Sequence, residues 1–141
     1  MTRKEQALEY HKKGYNCCQA VACTFCPDFG VSEEEMFKIS EGFGFGMGMM
    51  EVCGAVTGMF MAIGLDNSVG NLEKGTSTKA DTYKKVKAYA QKFKDKNQSI
   101  LCRELKGIGT DHPLCSCDQC IEDAVVLVED YLRDKGIKES C

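Results

Sequence analysis

Apolar residues along this chain recur at helical spacing, and no segment shows the alternation of a strand. The chain has three apolar stripes. One follows the glycine-rich residues 42–48, one lies within residues 79–96, and one follows Asp118. Their members are Val52, Ala55, Val56, Met59, Phe60 and Ile63, then Tyr83, Val86, Tyr89, Ala90 and Phe93, and finally Ile121, Ala124, Val125, Val128 and Leu132. The pattern predicts an all-α helical bundle of six or seven helices that forms a single domain over residues 1–141.

Short polar residues predict where several helices begin. Asn16 is an N-cap candidate, Ser32 forms a capping box with Glu35, and Ser99 and Asp118 are expected to cap the last two helices. The predicted helices cover residues 3–13, 16–27, 32–40, 52–65, 79–96, 99–107 and 118 onward, with a loop at residues 66–78.

Composition is that of a globular protein. Of its 141 residues, 43% are hydrophobic and 28% are charged, and the net charge of −3 indicates neither nucleic acid nor a membrane surface as a partner. No signal peptide is apparent, and the apolar segment at residues 52–65 is shorter than the roughly 20 residues of a membrane span. We therefore expect a cytoplasmic protein. A redox partner protein and a homodimer remain open, the former because seven lysines on residues 79–96 would suit an acidic partner.

Ten cysteines are the most unusual feature of the composition. A reducing cytoplasm keeps disulfides open, so this number indicates metal binding, catalysis or redox sensing. Four cysteines are predicted at or near helix starts: Cys17, Cys53, Cys102 and Cys120. Helix N-termini favour negative charge and therefore the thiolate, which is both the nucleophile and the metal ligand. The alternative is that the cysteines are small buried hydrophobic residues.

The other cysteines add two C-x-x-C pairs. Cys23 and Cys26 form one pair and Cys117 and Cys120 the other, and two such pairs can hold zinc or an iron–sulfur cluster. Neither pair is followed by His, so covalent haem is not expected. Cys115 joins the second pair in a tail cluster that we expect to be a mobile lid outside the rigid core. The first pair is better explained by packing within a helix. The terminal Cys141 is expected to be incidental.

Several segments together resemble a known family. They are Asn16-Cys17-Cys18-Gln19-Ala20-Val21, the glycine segment at residues 43–47, a Cys-Gly-Ala-x-x-Gly element at residues 53–58, Cys102-Arg103-Glu104-Leu105, and Cys120 at the start of the final helix. The sequence resembles the redox-active proteins named for a C-GCAxxG-C-C cysteine pattern. The resemblance implies that the family's four cysteines correspond to Cys17, Cys53, Cys102 and Cys120. A similarity to part of the split-Soret cytochromes implies an iron–sulfur centre but no haem.

These patterns predict a redox or electron-transfer protein that uses Cys17, Cys53, Cys102 and Cys120, through thiol–disulfide chemistry or an iron–sulfur centre. The competing interpretation is a zinc or iron module without redox turnover, whose ligands come from the same four cysteines together with Cys115 and Cys117. A third is an enzyme with one nucleophilic cysteine, Cys53. Because each of the four begins a different helix, we expect them to converge in space and at least one to be a thiolate near neutral pH.

Overall fold

The computed structural model describes residues 1–140, with side chains described through Asp134, so Cys141 lies outside the described residues. Within them the protein is 71% helical and contains no strand, which confirms the predicted all-α fold. The eight α-helices are α1 (Arg3–Lys12), α2 (Cys17–Thr24), α3 (Cys26–Phe29), α4 (Glu33–Ser40), α5 (Gly54–Asn67), α6 (Lys79–Asn97), α7 (Cys102–Leu105) and α8 (Cys117–Ser140).

Helix α5 is the centre of the bundle. Every residue from 53 to 59 is buried, which fits a helix that packs on all sides, and it contacts α2, α6 and α8. The core around it consists of fully buried apolar side chains, among them Val21, Phe25, Val56, Met59, Ile63, Phe93, Ile121, Val125 and Val128. The stripe on α6 is narrower than predicted, since Tyr83 is 62% exposed while Tyr89 and Phe93 are buried.

Glycine allows α5 to approach α2 closely. A Cβ added at Gly58 would lie 2.9 Å from the carbonyl oxygen of Cys18 and 2.9 Å from the Cβ of Val21. One added at Gly54 would lie 3.0 Å from the backbone nitrogen of Cys18 and 3.2 Å from the Cβ of Cys17. The two helices are therefore in backbone contact at the point where the first cysteines lie.

Some predicted helix starts are right and others are wrong. Asn16 caps α2 and Ser32 caps α4. The side chain of each accepts the backbone N–H of the residue three positions later. Ser99 does not cap a helix, because α7 begins three residues later at Cys102. The last helix begins at Cys117 rather than after Asp118: Ser116 accepts the N–H of Gln119 at 3.1 Å and so acts as the cap.

The segment between α4 and α5 is a sequence of tight turns. Phe45, Met47 and Met50 have positive φ angles of 53°, 61° and 56°, a conformation that side chains rarely adopt. Gly46 lies between them, and a Cβ added there would be 2.3 Å from the backbone nitrogen of Glu51. Val52 does not begin α5 as predicted but pairs with Leu101 in an isolated antiparallel bridge. The glycines thus fold this segment tightly against the start of α7.

No helix in the described part of the chain is both long enough and apolar enough to cross a membrane.

Candidate functional site

A partly open cavity of about 170 Å³ lies where the starts of four helices meet. Six cysteines line it: Cys17, Cys53, Cys102, Cys115, Cys117 and Cys120. The rest of the lining is His11, Asn16, Phe45, Gly54, Leu105 and Lys106. The four cysteines that were predicted to converge are all present, although they come from distant parts of the chain.

Backbone contacts bring two of these helix starts side by side. The N–H of Cys53 donates to the carbonyl of Ile100 at 2.8 Å, and the N–H of Cys102 donates to the carbonyl of Glu51 at 2.6 Å. These two bonds flank the bridge between Val52 and Leu101. These contacts therefore hold the starts of α5 and α7 side by side, with Cys53 at one end of the paired segment and Cys102 at the other.

Cys17 and Cys117 form one thiol pair, at the first residues of α2 and α8. Both are partly exposed, so we call them the outer pair. The hydrogen bond from the Cys17 thiol is the main cause that lowers the pKa of Cys117 to about 5, and the ammonium group of Lys106 adds to it. The same hydrogen bond, followed by burial, raises the pKa of Cys17. The hydrogen bond therefore favours the proton on Cys17 and the negative charge on Cys117.

Cys53 and Cys120 form a second pair, which we call the inner pair because they are only 6% and 2% exposed. The hydrogen bond from the Cys120 thiol is the main cause that lowers the pKa of Cys53. The backbone N–H groups of Ala55 and Val56, at the start of α5, act in the same direction. The pKa of Cys120 is raised, first by that hydrogen bond to Cys53 and then by burial.

A family model matches residues 15–131, and that family is described as "putative redox-active protein (C_GCAxxG_C_C)". The chain belongs to this family. The match includes all six cysteines that line the cavity. No curated protein and no solved structure matches the chain.

The Cys-Gly-Ala-x-x-Gly element places a glycine, Gly54, directly after Cys53. The structure gives a physical reason for Gly at the second position. A Cβ at Gly54 would lie 3.1 Å from the Cα of Gly44 as well as close to α2, so a cysteine side chain there would have to displace backbone. The thiol of Cys53 lies directly before Gly54, at the N-cap of α5.

The prediction that Cys115 and Cys117 form a mobile lid outside the rigid core is wrong. Cys115 is 9% exposed and belongs to the main hydrophobic core, and its N–H donates to the carbonyl of Leu105 at 3.2 Å. Cys117 is the first residue of α8. Sequence alone missed this anchoring because the bonds to Leu105 come from a helix several residues upstream.

The three other described cysteines lie outside the cavity lining. Cys23 and Cys26 are each 1% exposed and pack with Ala22 and Met36 in a smaller apolar cluster. Burial raises the pKa of Cys23 to about 12. Cys18 is fully buried, with its Sγ 3.7 Å from the Sδ of Met61. The packing interpretation of the first C-x-x-C pair therefore fits its surroundings.

A metal centre fits the donor chemistry of the cavity but not its spacing. Six thiols exceed the four that zinc or an iron–sulfur cluster uses. Among the described residues, however, no group of three or more His, Cys, Asp or Glu side chains is arranged to hold a metal ion. The nine described cysteines are free thiols. In the cavity Cys17 is hydrogen-bonded to Cys117 and Cys53 to Cys120, and Cys115 is a further partner of Cys120.

Two residues of the site were not predicted in their present roles. Cys117 was expected to be a metal ligand or part of a mobile lid, yet its pKa is lowered to about 5. Lys106 received no role at all, although it lies at the cavity beside Cys117 and above the ring of Phe45, 5.1 Å from its centroid. Ser116 was the available signal for Cys117, since a serine before it marks it as the first residue of a helix.

Proposed function

We propose that the protein is a thiol–disulfide oxidoreductase in which Cys117 is the attacking thiolate and Cys17 is the resolving thiol. The observation that supports this most directly is their pairing in the wall of the cavity, where both are partly exposed and Lys106 is adjacent. Membership of a redox-active cysteine family supports the same class of chemistry.

In the proposed reaction, the Cys117 thiolate attacks one sulfur of a substrate disulfide, forms a mixed disulfide and releases one substrate thiolate. Cys17 gives its proton to that thiolate and then attacks the sulfur of Cys117. The second substrate thiolate leaves and takes a proton from solvent. The substrate disulfide has then gained two electrons, and the protein has lost them by forming a Cys17–Cys117 disulfide.

The charges around Cys117 favour both halves of this cycle. A pKa of about 5 keeps Cys117 ionised at neutral pH, so that it can attack without a separate base. A stabilised thiolate is also a good leaving group, so the Cys17–Cys117 disulfide would be reopened readily by a reductant. Lys106 would in addition attract a substrate that carries negative charge near its disulfide.

The first test is the reaction of the reduced protein with dithiobis(nitrobenzoic acid), a disulfide that releases a coloured thiolate. We expect Cys117→Ser to lose the fast phase of release at pH 7, and Cys17→Ser to accumulate the mixed disulfide on Cys117. Cys115→Ser is the matched control, because it removes a thiol from the same segment but should retain the fast phase. A Cys117→Ser variant as fast as the wild type would contradict the proposal.

The alternative is a zinc or iron–sulfur module built from the same cysteines. The number of thiols at the cavity favours it, and the lack of a preformed three-ligand group among the described residues disfavours it. Metal analysis and visible spectroscopy of the anaerobically purified protein separate the two. The oxidoreductase proposal would be overturned if the protein contained stoichiometric zinc, or iron with sulfide, and if Cys53→Ser removed it.

A further inference from the structure

We propose that the inner pair, Cys53 and Cys120, is a second dithiol that takes over the disulfide formed at the outer pair. The two dithiols of the cavity can then donate four electrons in all. This inference rests on the proposed function, because it requires that the disulfide first form between Cys17 and Cys117. It adds a second redox centre, which an external disulfide reaches only through the first.

The two pairs are stacked along the same two walls of the cavity. On one wall, Cys117 and Cys120 are three residues apart on α8 and therefore lie on the same face, one helical turn from each other. On the other wall, Cys17 begins α2 and Cys53 precedes α5, and the close contact at Gly54 holds these two helix starts together. Each pair therefore takes one cysteine from each wall.

The outer pair and the inner pair differ in burial. Cys17 and Cys117 are partly exposed, whereas Cys53 and Cys120 are only 6% and 2% exposed. The cavity volume of about 170 Å³ is close to that of a cavity which holds a single benzene molecule, about 150 Å³. A bulky disulfide can therefore reach the partly exposed Cys117, whereas Cys53 and Cys120 offer it little exposed surface.

The transfer of the disulfide from the outer pair to the inner pair is an ordinary thiol–disulfide exchange. The Cys53 thiolate attacks the sulfur of Cys117 in the Cys17–Cys117 disulfide, and the Cys17 thiolate leaves. Cys120 gives its proton to Cys17 and, as a thiolate, attacks the sulfur of Cys53, which releases Cys117 as a thiolate. The outer pair is again one thiol and one thiolate, and the inner pair is a disulfide, so no further oxidant or reductant is consumed.

The test is a time course of disulfide positions in the reduced protein after one equivalent of dithiobis(nitrobenzoic acid), with quenching in acid and peptide mapping by mass spectrometry. We expect Cys17–Cys117 to appear first and to be replaced by Cys53–Cys120. In Cys120→Ser the second step should be lost, leaving Cys17–Cys117 and a trapped Cys53–Cys117 species. Cys23→Ala, which removes a buried thiol outside the cavity lining, should behave as the wild type.

The outcomes separate this inference from the proposed function. If Cys17–Cys117 forms and persists in the wild type, the relay is wrong and the proposed function stands. If the inner disulfide forms in Cys117→Ser as fast as in the wild type, the inner pair reacts on its own and the relay is wrong as well. If no Cys17–Cys117 disulfide appears even at the earliest time or in Cys120→Ser, the proposed function itself fails.

Discussion

Three cysteines at helix starts differ in ionisation because their neighbours differ. Cys102 begins α7, yet burial raises its pKa, and the nearby Lys106 offsets this only in part. Cys17 begins α2, and its hydrogen bond to a thiolate raises its pKa. Cys117 begins α8 and accepts that hydrogen bond, so its pKa is lowered. Side-chain partners and burial therefore outweigh the helix terminus in this cavity, which is why the sequence predicted the cluster but not which thiol is ionised.

Replacing Lys106 by Met should raise the pKa of Cys117, because it removes the ammonium charge that stabilises the thiolate. The measurement is the rate of Cys117 alkylation by iodoacetamide against pH, followed by mass spectrometry. In the wild type the midpoint should be at a pH of about 5. In Lys106→Met the midpoint should move upward and the rate at mildly acidic pH should fall.

Lys94→Met is the matched control, since Lys94 is exposed on α6 and is not part of the cavity. It should leave the alkylation profile unchanged. A wild-type midpoint at the free-thiol value of about 8.5 would contradict the account of Cys117. So would a Lys106→Met profile that coincides with the wild type.

At the scale of the elements, local sequence signals were sufficient wherever a helix is determined by its own residues. Asn16 and Ser32 each bond a backbone N–H three residues ahead, and both helix starts were predicted. The last helix was misplaced because Ser116 and Asp118 are both good caps, and local sequence does not distinguish them. The choice is made at a distance, where the backbone N–H groups of Leu114 and Cys115 donate to Leu105.

The crossing of α2 and α5 gives a stability prediction. Gly58→Ala places a methyl group 2.9 Å from the Cys18 carbonyl oxygen, so it should destabilise the protein by about 1–3 kcal/mol through overpacking. Gly64→Ala is the matched control on the same helix, because nothing lies within 4 Å of its added Cβ. It should stabilise the protein by about 0.5–1 kcal/mol through helix propensity.

Urea unfolding of the reduced proteins measures both changes in the free energy of unfolding. If Gly58→Ala is as stable as the wild type or more so, the close backbone contact between the two helices is not a constraint. If Gly64→Ala loses as much stability as Gly58→Ala, the effect belongs to alanine in α5 in general rather than to the crossing.

At the scale of the whole molecule, the convergence of the cysteines was predictable but their pairing was not. Helix bundles bring helix ends together at one pole, and the predicted starts supplied Cys17, Cys53, Cys102 and Cys120. Which thiol faces which depends on how α8 is rotated and where it begins, and a start two residues later would leave Cys117 outside the helix. The sequence could therefore indicate a shared site and a redox family without assigning partners within the cavity.

Disulfide connectivity after oxidation shows whether the cavity is organised as two redox pairs. The reduced protein is oxidised with two equivalents of diamide, the remaining thiols are alkylated, and the cross-linked peptides are identified by mass spectrometry. The account predicts two disulfides, Cys17–Cys117 and Cys53–Cys120, with Cys23 and Cys26 recovered as alkylated thiols. Disulfides confined to neighbours in sequence, such as Cys23–Cys26 and Cys117–Cys120, would contradict it.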